Sequence, residues 1–101
     1  MNDLNRRMAK LMGYESDVHW NPARANRMEL FDPVHNTADA FKVDEKMSET
    51  HRLTLTRYSN CWNALYQPVK SCVISGEGHA ATAALAICLA ADKIDKEIEA
   101  Q

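Results

Sequence analysis

The chain has 101 residues, of which 46% are hydrophobic and 26% are charged, with only three glycines and three prolines. These proportions are typical of one small globular domain and exclude a multidomain enzyme, a collagen-like chain and a low-complexity chain. The net charge is −2, with basic residues concentrated in 1–27 and 51–75 and acidic residues in 28–50 and 76–101. Such alternation is more typical of contacts between neighbouring elements than of a field that attracts a polyanion.

The cysteines and the hydropathy indicate where the protein works. Cys61, Cys72 and Cys88 are widely spaced and form no C-x-x-C pair. We therefore expect buried free thiols in a reducing compartment, with a Cys61–Cys72 bridge between adjacent strands as the alternative. The most apolar stretch, residues 83–91, is shorter than the roughly 20 residues that a membrane-spanning helix needs. We expect a soluble, cytoplasmic protein that does not enter a membrane.

The N-terminal third predicts one helix and a long connector. Apolar residues recur at helical spacing over 3–12, and Gly13 can end that helix in the left-handed conformation. Residues 14–36 show no sustained period and contain two Asn/Asp-Pro pairs, which indicates a loop. Within it, residues 23–31 are compatible with either a short helix or a short strand.

A second helix is predicted over 37–49. Asn36 or Thr37 can cap its start, and Asp39 lies in the first turn, close to the positive end of the helix dipole. Its expected buried stripe consists of Ala40, Phe41, Val43 and Met47. The charged side chains, Asp39 included, are expected on the solvent side.

The pattern then changes to alternation, which is typical of half-buried strands. Strands are predicted over 51–58, 61–66 and 69–75, separated by short turns that imply an antiparallel meander. In the first strand, Leu53 and Leu55 should face the core and Thr54 and Thr56 should be more exposed.

Gly76-Glu77-Gly78 is predicted to turn the chain out of the sheet and into a last helix over 80–99. Many of the residues in the first half of this helix are alanine, so it can approach the sheet closely. Together these elements predict an α+β fold: a three-stranded antiparallel meander packed against two helices, with an appended N-terminal helix and long loop. We expect a single domain, 1–101, in which 1–30 form the N-terminal helix and connector and 31–101 form the α-β-β-β-α core.

No motif in the sequence indicates a catalytic, metal or cofactor site. A glycine pair between a strand and a helix is where phosphate loops occur, but no Gly-Lys-Ser/Thr follows Gly78. The four histidines show no i, i+4 pair, so no zinc motif is present. We predict no enzyme, no metal and no cofactor; an enzymatic alternative would use His79 at the glycine turn.

Two segments resemble a family of small phage and prophage proteins. The first is Phe31-Asp32-Pro33 followed by Asn36 and the run Ala-Asp-Ala-Phe at 38–41. The second is the glycine turn and alanine-rich helix of 76–88. The family is the phage ABA sandwich domain, and the resemblance covers 31–91. Trp20-Asn21-Pro22 is an alternative position for the aromatic-Asn-Pro element. The resemblance implies a compact α/β domain made inside an infected or lysogenic bacterium, and it implies no reaction.

We expect a non-enzymatic phage accessory protein that binds a host protein, for example to inhibit a defence system in the manner of an anti-CRISPR protein, or a housekeeping complex. Aromatic residues and arginine are enriched at interface centres, and loops often carry function. The predicted partner-binding residues are Trp20, Arg24, Arg27 and Phe31. The alternative is that Trp20 and Phe31 anchor the connector to the core.

A second hypothesis is a nucleic-acid or nucleotide-binding module. Cations can follow phosphates and aromatic rings can stack on bases. The residues that could form such a basic sheet face are Arg52, Arg57, Tyr58 and Lys70, interleaved with Trp62 and Tyr66. The structural alternative is a sheet whose aromatic rings pack in the core while its basic side chains stay solvated.

Overall fold

Three helices and five strands follow one another in a computed structural model, which describes residues 2–14, 18–21, 27–69 and 75–100. The α+β class is confirmed. The elements are α1 (Asn2–Leu11), β1 (Val18–Asn21), β2 (Arg27–Leu30), α2 (Thr37–Met47), β3 (His51–Arg57), β4 (Trp62–Pro68), β5 (Gly76–Ala80) and α3 (Ala83–Ala100).

The sheet is a three-stranded antiparallel meander, as predicted, and its strand order is β3-β4-β5. Its register places Leu53 opposite Tyr66, and Ala64 opposite Gly78. The helix α3 packs across β4 and β5, and α2 packs on α3 and on part of β3. Within the described ranges, β3 and β5 are therefore the two edges of the sheet.

The glycine segment is a strand, so the prediction that it turns the chain out of the sheet is wrong. Gly76 and Gly78 face α3, and a Cβ atom on either would lie 2.5 Å from a helix carbonyl oxygen, that of Ala90 or Ala86. Glycine is needed here because the helix backbone occupies the space of a side chain. Residues 70–74, most of the predicted third strand, lie outside the described residues.

The start of α3 follows from a cap. The Thr82 hydroxyl oxygen accepts a hydrogen bond from the Leu85 backbone N–H at 3.2 Å, one of the donors that the first turn leaves without a helical partner. The helix thus begins at Ala83, later than predicted, and the two glycines do not form its N-terminal loop. Ala84, Ile87 and Ile94, on one side of this helix, are buried, as their spacing indicates.

In β3 the alternation is present but shallow. Leu53 and Leu55 are half-buried rather than buried, Thr54 is exposed and Thr56 is half-buried. An edge strand receives cover from one neighbouring strand only, and α2 overlies β3 only in part. The two leucines consequently remain accessible from the side.

Helix α2 buries a different stripe from the one predicted. Ala40, Val43 and Met47 are buried, but Phe41 is 44% exposed. Asp39 is buried because its carboxylate accepts a hydrogen bond from the Asp32 backbone N–H at 3.0 Å. A capping role thus takes this acid out of the solvent, and the prediction that it lies on the wet face is wrong.

The long connector contains a hairpin. β1 and β2 pair antiparallel, with Val18 opposite Leu30 and Trp20 opposite Met28. Of the helix-or-strand choice left open for 23–31, the strand is observed over Arg27–Leu30. At the two ends of the segment, the rings of Tyr14 and Phe31 meet edge to face, 5.2 Å apart.

Helix α1 contacts the rest of the chain through two sets of polar contacts, each of which includes a buried residue, Asp92 or Asn5. The Arg7 guanidinium donates to both carboxylate oxygens of Asp92, at 2.7 and 3.2 Å, and this hydrogen bonding raises the pKa of Arg7. Asn5 donates to Asp32 at 2.8 Å and accepts from the Val34 N–H at 3.2 Å. Met8 and Ala9 of the same helix are buried in the core.

No helix in the described ranges is both long enough and apolar enough to cross a bilayer.

Candidate functional site

Phe31, one of the predicted partner-binding residues, is not accessible at the surface. Its side chain is fully buried and packs against Tyr14. The anchoring alternative is therefore the correct one for Phe31. The hydrophobic effect explains the outcome, because burying a phenylalanine side chain favours folding by about 1.5–3 kcal/mol.

The other connector residues keep the status of predictions. Trp20 pairs with Met28 across the hairpin, and Arg27 pairs with Asn21. Arg24 lies outside the described residues.

The predicted basic sheet face does not form from Arg52 and Arg57. The two residues are five positions apart on one strand, so their side chains leave opposite faces of the sheet. The Arg57 guanidinium lies over the Trp62 ring, 5.7 Å from its centre. Tyr58 is 51% exposed beyond the end of β3, while Tyr66 is buried and donates to Asp44 at 2.9 Å. Lys70 lies outside the described residues.

The motif that carries the family resemblance has a structural role. Besides the Asp32–Asp39 hydrogen bond, the Asn36 side chain accepts from the Asp39 N–H at 3.2 Å, which caps α2. His35 lies 3.2 Å from both carboxylate oxygens of Asp32. Aspartate and asparagine suit these positions because their short side chains accept from backbone N–H groups at a helix start.

A groove of about 490 Å³ lies between the C-terminal half of α2 and the first half of β3. We call it the α2–β3 groove. It is lined by Asp44, Ser48, His51, Arg52, Leu53 and Val69.

This groove is lined by serine, histidine and aspartate, the residue types of a hydrolytic triad. Each of the three, however, forms a hydrogen bond with a residue outside this trio. The Ser48 hydroxyl donates to the Glu45 carbonyl at 2.6 Å. The Nδ1 atom of His51 lies 2.7 Å from the Thr50 hydroxyl, and Asp44 accepts from Tyr66. A triad needs the serine to donate to the histidine. Here the Ser48 hydroxyl donates instead to the carbonyl oxygen of Glu45 in the last turn of α2.

Other reactive groups lie outside the groove. Burial raises the pKa of the Cys88 thiol to about 12, and such a thiol is a poor nucleophile because little of it is ionised. Cys61 is half-buried with a free thiol. Among the described residues, no three histidine, cysteine or acidic side chains cluster closely enough to hold a metal ion.

The backbone of β3 gives the groove a row of hydrogen-bonding groups. The Val69 N–H donates to the Thr50 carbonyl oxygen at 3.2 Å, and the Tyr58 N–H donates to the Cys61 carbonyl oxygen at 2.8 Å. Hydrogen-bonded pairs alternate along an antiparallel ladder, so the even-numbered residues of β3 bond to β4 in this register. The N–H and C=O groups of Leu53, Leu55 and Arg57 therefore point away from the sheet, where no strand in the described ranges pairs with them.

Along this edge, the side chains of Leu53 and Leu55 leave one face of the sheet and that of Arg52 leaves the other. Phe41 lies on the same side of α2 as Asp44 and Ser48, one and two turns away, and its ring is exposed. Leu53 offers half-buried apolar surface across from it. Arg52 is exposed and has no ion-pair partner among the described residues.

Sequence reasoning missed Asp44, Ser48 and Val69 as lining residues of the groove, and it did not predict the exposure of Phe41. Phe41 was assigned to the core because its spacing fits the apolar stripe. One signal was available: the strand segment 51–57 carries two arginines and no acid, which is common on edges that must avoid pairing with themselves.

Comparison with known proteins identifies a family but no individual related protein. The model of the phage ABA sandwich domain matches residues 8–91. The match begins well before residue 31, so the last turn of α1 and the β1–β2 hairpin belong to it, contrary to the narrower range that the sequence motifs suggested. No curated protein and no solved structure matches the chain. The family match covers most of the chain, and the chain therefore belongs to the phage ABA sandwich domain family.

Proposed function

We propose that this phage protein acts in the host cytoplasm by binding a host protein, such as a component of a defence or housekeeping complex, and that it catalyses no reaction. The α2–β3 groove is the surface with which it binds. The observation that supports this most directly is the outer edge of β3, with which no strand in the described ranges pairs, beside an exposed phenylalanine and half-buried leucines. Exposed strand edges and apolar surface rimmed by polar groups are typical of protein interaction sites.

The polar groups of the groove support binding over catalysis. Ser48 and Asp44 each make a hydrogen bond that helps to hold α2 or β4 in place. A general base or nucleophile must instead be free to exchange a proton with a substrate. These side chains therefore serve the scaffold, and the exposed side chains beside them are available to a partner.

A photo-crosslinking experiment tests the proposed function. The photoreactive residue p-benzoylphenylalanine replaces Ser48 in the groove or, as the matched control, Glu77, which is exposed on the opposite edge of the sheet. In the bacterium that carries the phage, we expect a host protein to crosslink at position 48 and not at position 77. The Phe41→Ala substitution should reduce the yield of that same product.

Two outcomes would contradict the proposal. Crosslinking at position 77 alone would place the binding surface elsewhere, and no crosslink at either position would remove the support for a host protein partner. A crosslinked product that nuclease digests would favour the nucleic-acid hypothesis, for which binding should also fall steeply with salt.

A further inference from the structure

Resting on the proposed function of the α2–β3 groove, we infer the chemistry of its partner: an extended segment with acidic residues, which adds to the outer edge of β3 as a fourth strand. Peptides bind exposed sheet edges in this way, with backbone hydrogen bonds supplying affinity and alternate side chains supplying specificity. The edge is long enough, because β3 has seven residues and a regular register along its whole length.

The backbone determines which groups of the segment bond. The outward groups belong to the odd-numbered residues of β3, including Leu53, Leu55 and Arg57. In an antiparallel arrangement, the residues of the segment opposite these three form the hydrogen-bonded pairs. The intervening residues direct their N–H and C=O groups away from the protein.

The side chains determine the sequence that fits. Segment residues opposite Leu53 and Leu55 lie on the α2 side, where apolar surface is half-buried and Phe41 is exposed, so they should be apolar. An acid is excluded on this side near the Asp44 carboxylate. Residues opposite Arg52 and Arg57 should be acidic, which gives the pattern acid-x-apolar-x-apolar-acid in the antiparallel direction.

Charge also separates this partner from a second copy of the chain. Two β3 strands paired antiparallel about Thr54 would bring four arginines and two histidines onto one strand pair, with no acid among them. Like charges on neighbouring strands oppose pairing. The same two arginines attract an acidic segment.

The test uses the full chain and a fluorescently labelled peptide, acetyl-Gly-Glu-Thr-Val-Thr-Val-Glu-Gly-amide, whose binding is followed by fluorescence anisotropy. We expect saturable binding. N-methylation of both valines removes donors that face β3 and should weaken binding roughly tenfold or more. N-methylation of both threonines is the matched control, because those donors face away, and should leave binding nearly unchanged.

Variants of the protein test the same contacts from the other side. Leu55→Pro removes an outward N–H group together with the side chain, whereas Leu55→Ala removes the side chain alone, so the proline variant should bind more weakly than the alanine variant. Arg52→Glu should weaken the acidic peptide and improve a peptide in which both glutamates are lysine. Circular dichroism verifies that each variant is folded.

Several results would overturn the inference: equal loss of binding for the two N-methylated peptides, equal affinity for the lysine peptide and the acidic one, or a dimer of the chain that Leu55→Pro dissociates. If the peptide does not bind while position 48 still crosslinks a host protein, strand addition is wrong and the proposed function survives. If the peptide binds but nothing crosslinks in the host, the groove recognises such segments and the host-protein function is wrong.

Discussion

Gly78 of β5 lies directly against Ala86 of α3, so closely that a Cβ atom on the glycine would stand 2.5 Å from the alanine carbonyl oxygen. The same position is 2.8 Å from the Ala90 backbone nitrogen. Because both neighbours are backbone atoms, no change of side-chain rotamer can make room. The distance between the helix and the sheet is therefore set by a strand residue without a side chain.

Gly78→Ala should destabilise the protein by about 1–3 kcal/mol, because the helix must move away from the sheet and its other contacts loosen. Urea unfolding measures the effect. Glu77→Ala is the control on the same strand, since Glu77 is exposed and its pairing with His79 is a surface contact. A Gly78→Ala protein as stable as the control would show that α3 does not pack as described.

Asn5→Ala should cost about 1–3 kcal/mol although it removes little apolar surface. The substitution leaves the Val34 N–H, a buried donor, without its partner, and it frees α1 from Asp32. Thermal unfolding followed by circular dichroism measures the loss. Asn36→Ala, which removes the cap of α2, is a useful comparison with an expected cost near 1 kcal/mol. An Asn5→Ala protein with unchanged stability would mean that α1 is not held through this residue.

Truncation of Phe31 should lower the stability of the protein much more than truncation of Phe41. Phe31→Ala should lose about 3–5 kcal/mol, because the ring is fully buried, and Phe31→Leu provides a milder variant that stays folded. Phe41→Ala should change stability by no more than about 0.5 kcal/mol while it weakens binding in the groove. Chemical unfolding and peptide binding measured on the same samples separate these effects. The reverse order of stabilities would contradict the assignment of one ring to the core and the other to the surface.

Stability should fall as the pH rises above 9, in part through Cys88. Below its ordinary pKa of about 9, the thiol is protonated in both the folded and the unfolded chain. Above it, the unfolded thiol ionises while burial keeps the folded one protonated up to about pH 12, so the free energy of unfolding declines by up to about 1.4 kcal/mol per pH unit.

Cys88→Ala should remove this contribution and flatten the profile between pH 9 and 10. Burial also raises the pKa of Tyr66, which acts in the same direction above its ordinary value of 10, so the narrower window isolates the thiol. Unfolding free energies of the two proteins, measured at closely spaced pH values, give the difference. Parallel profiles across this window would show that Cys88 is not shielded from ionisation.

The sequence predicted those elements in which the pattern of apolar and polar side chains follows the burial of each position. β3 was found because a strand with one face toward the core alternates leucine with threonine, and α3 because its apolar residues recur with the helical period. β5 was missed for the opposite reason. Its inner face consists of Gly76 and Gly78, and a strand that makes room for a helix backbone looks the same as a turn.

The site was harder to predict than the fold. Phe31 and Phe41 have the same chemistry, and which of them is buried depends on how the connector returns to α1. Asp39 appeared to be a surface acid, since only the position of the Asp32 N–H reveals its role. The outer edge of β3 depends on the order of strands in the sheet, which local patterns do not determine.

The contacts of α1 also set an order of events during translation. Asn5 can meet Asp32 early, but Arg7 has no partner until Asp92 has been synthesised. Contacts between residues so far apart along the chain close slowly compared with local ones. On the ribosome, the contact between α1 and α3 through Arg7 can therefore form only after β3, β4, β5 and the first half of α3 have been synthesised.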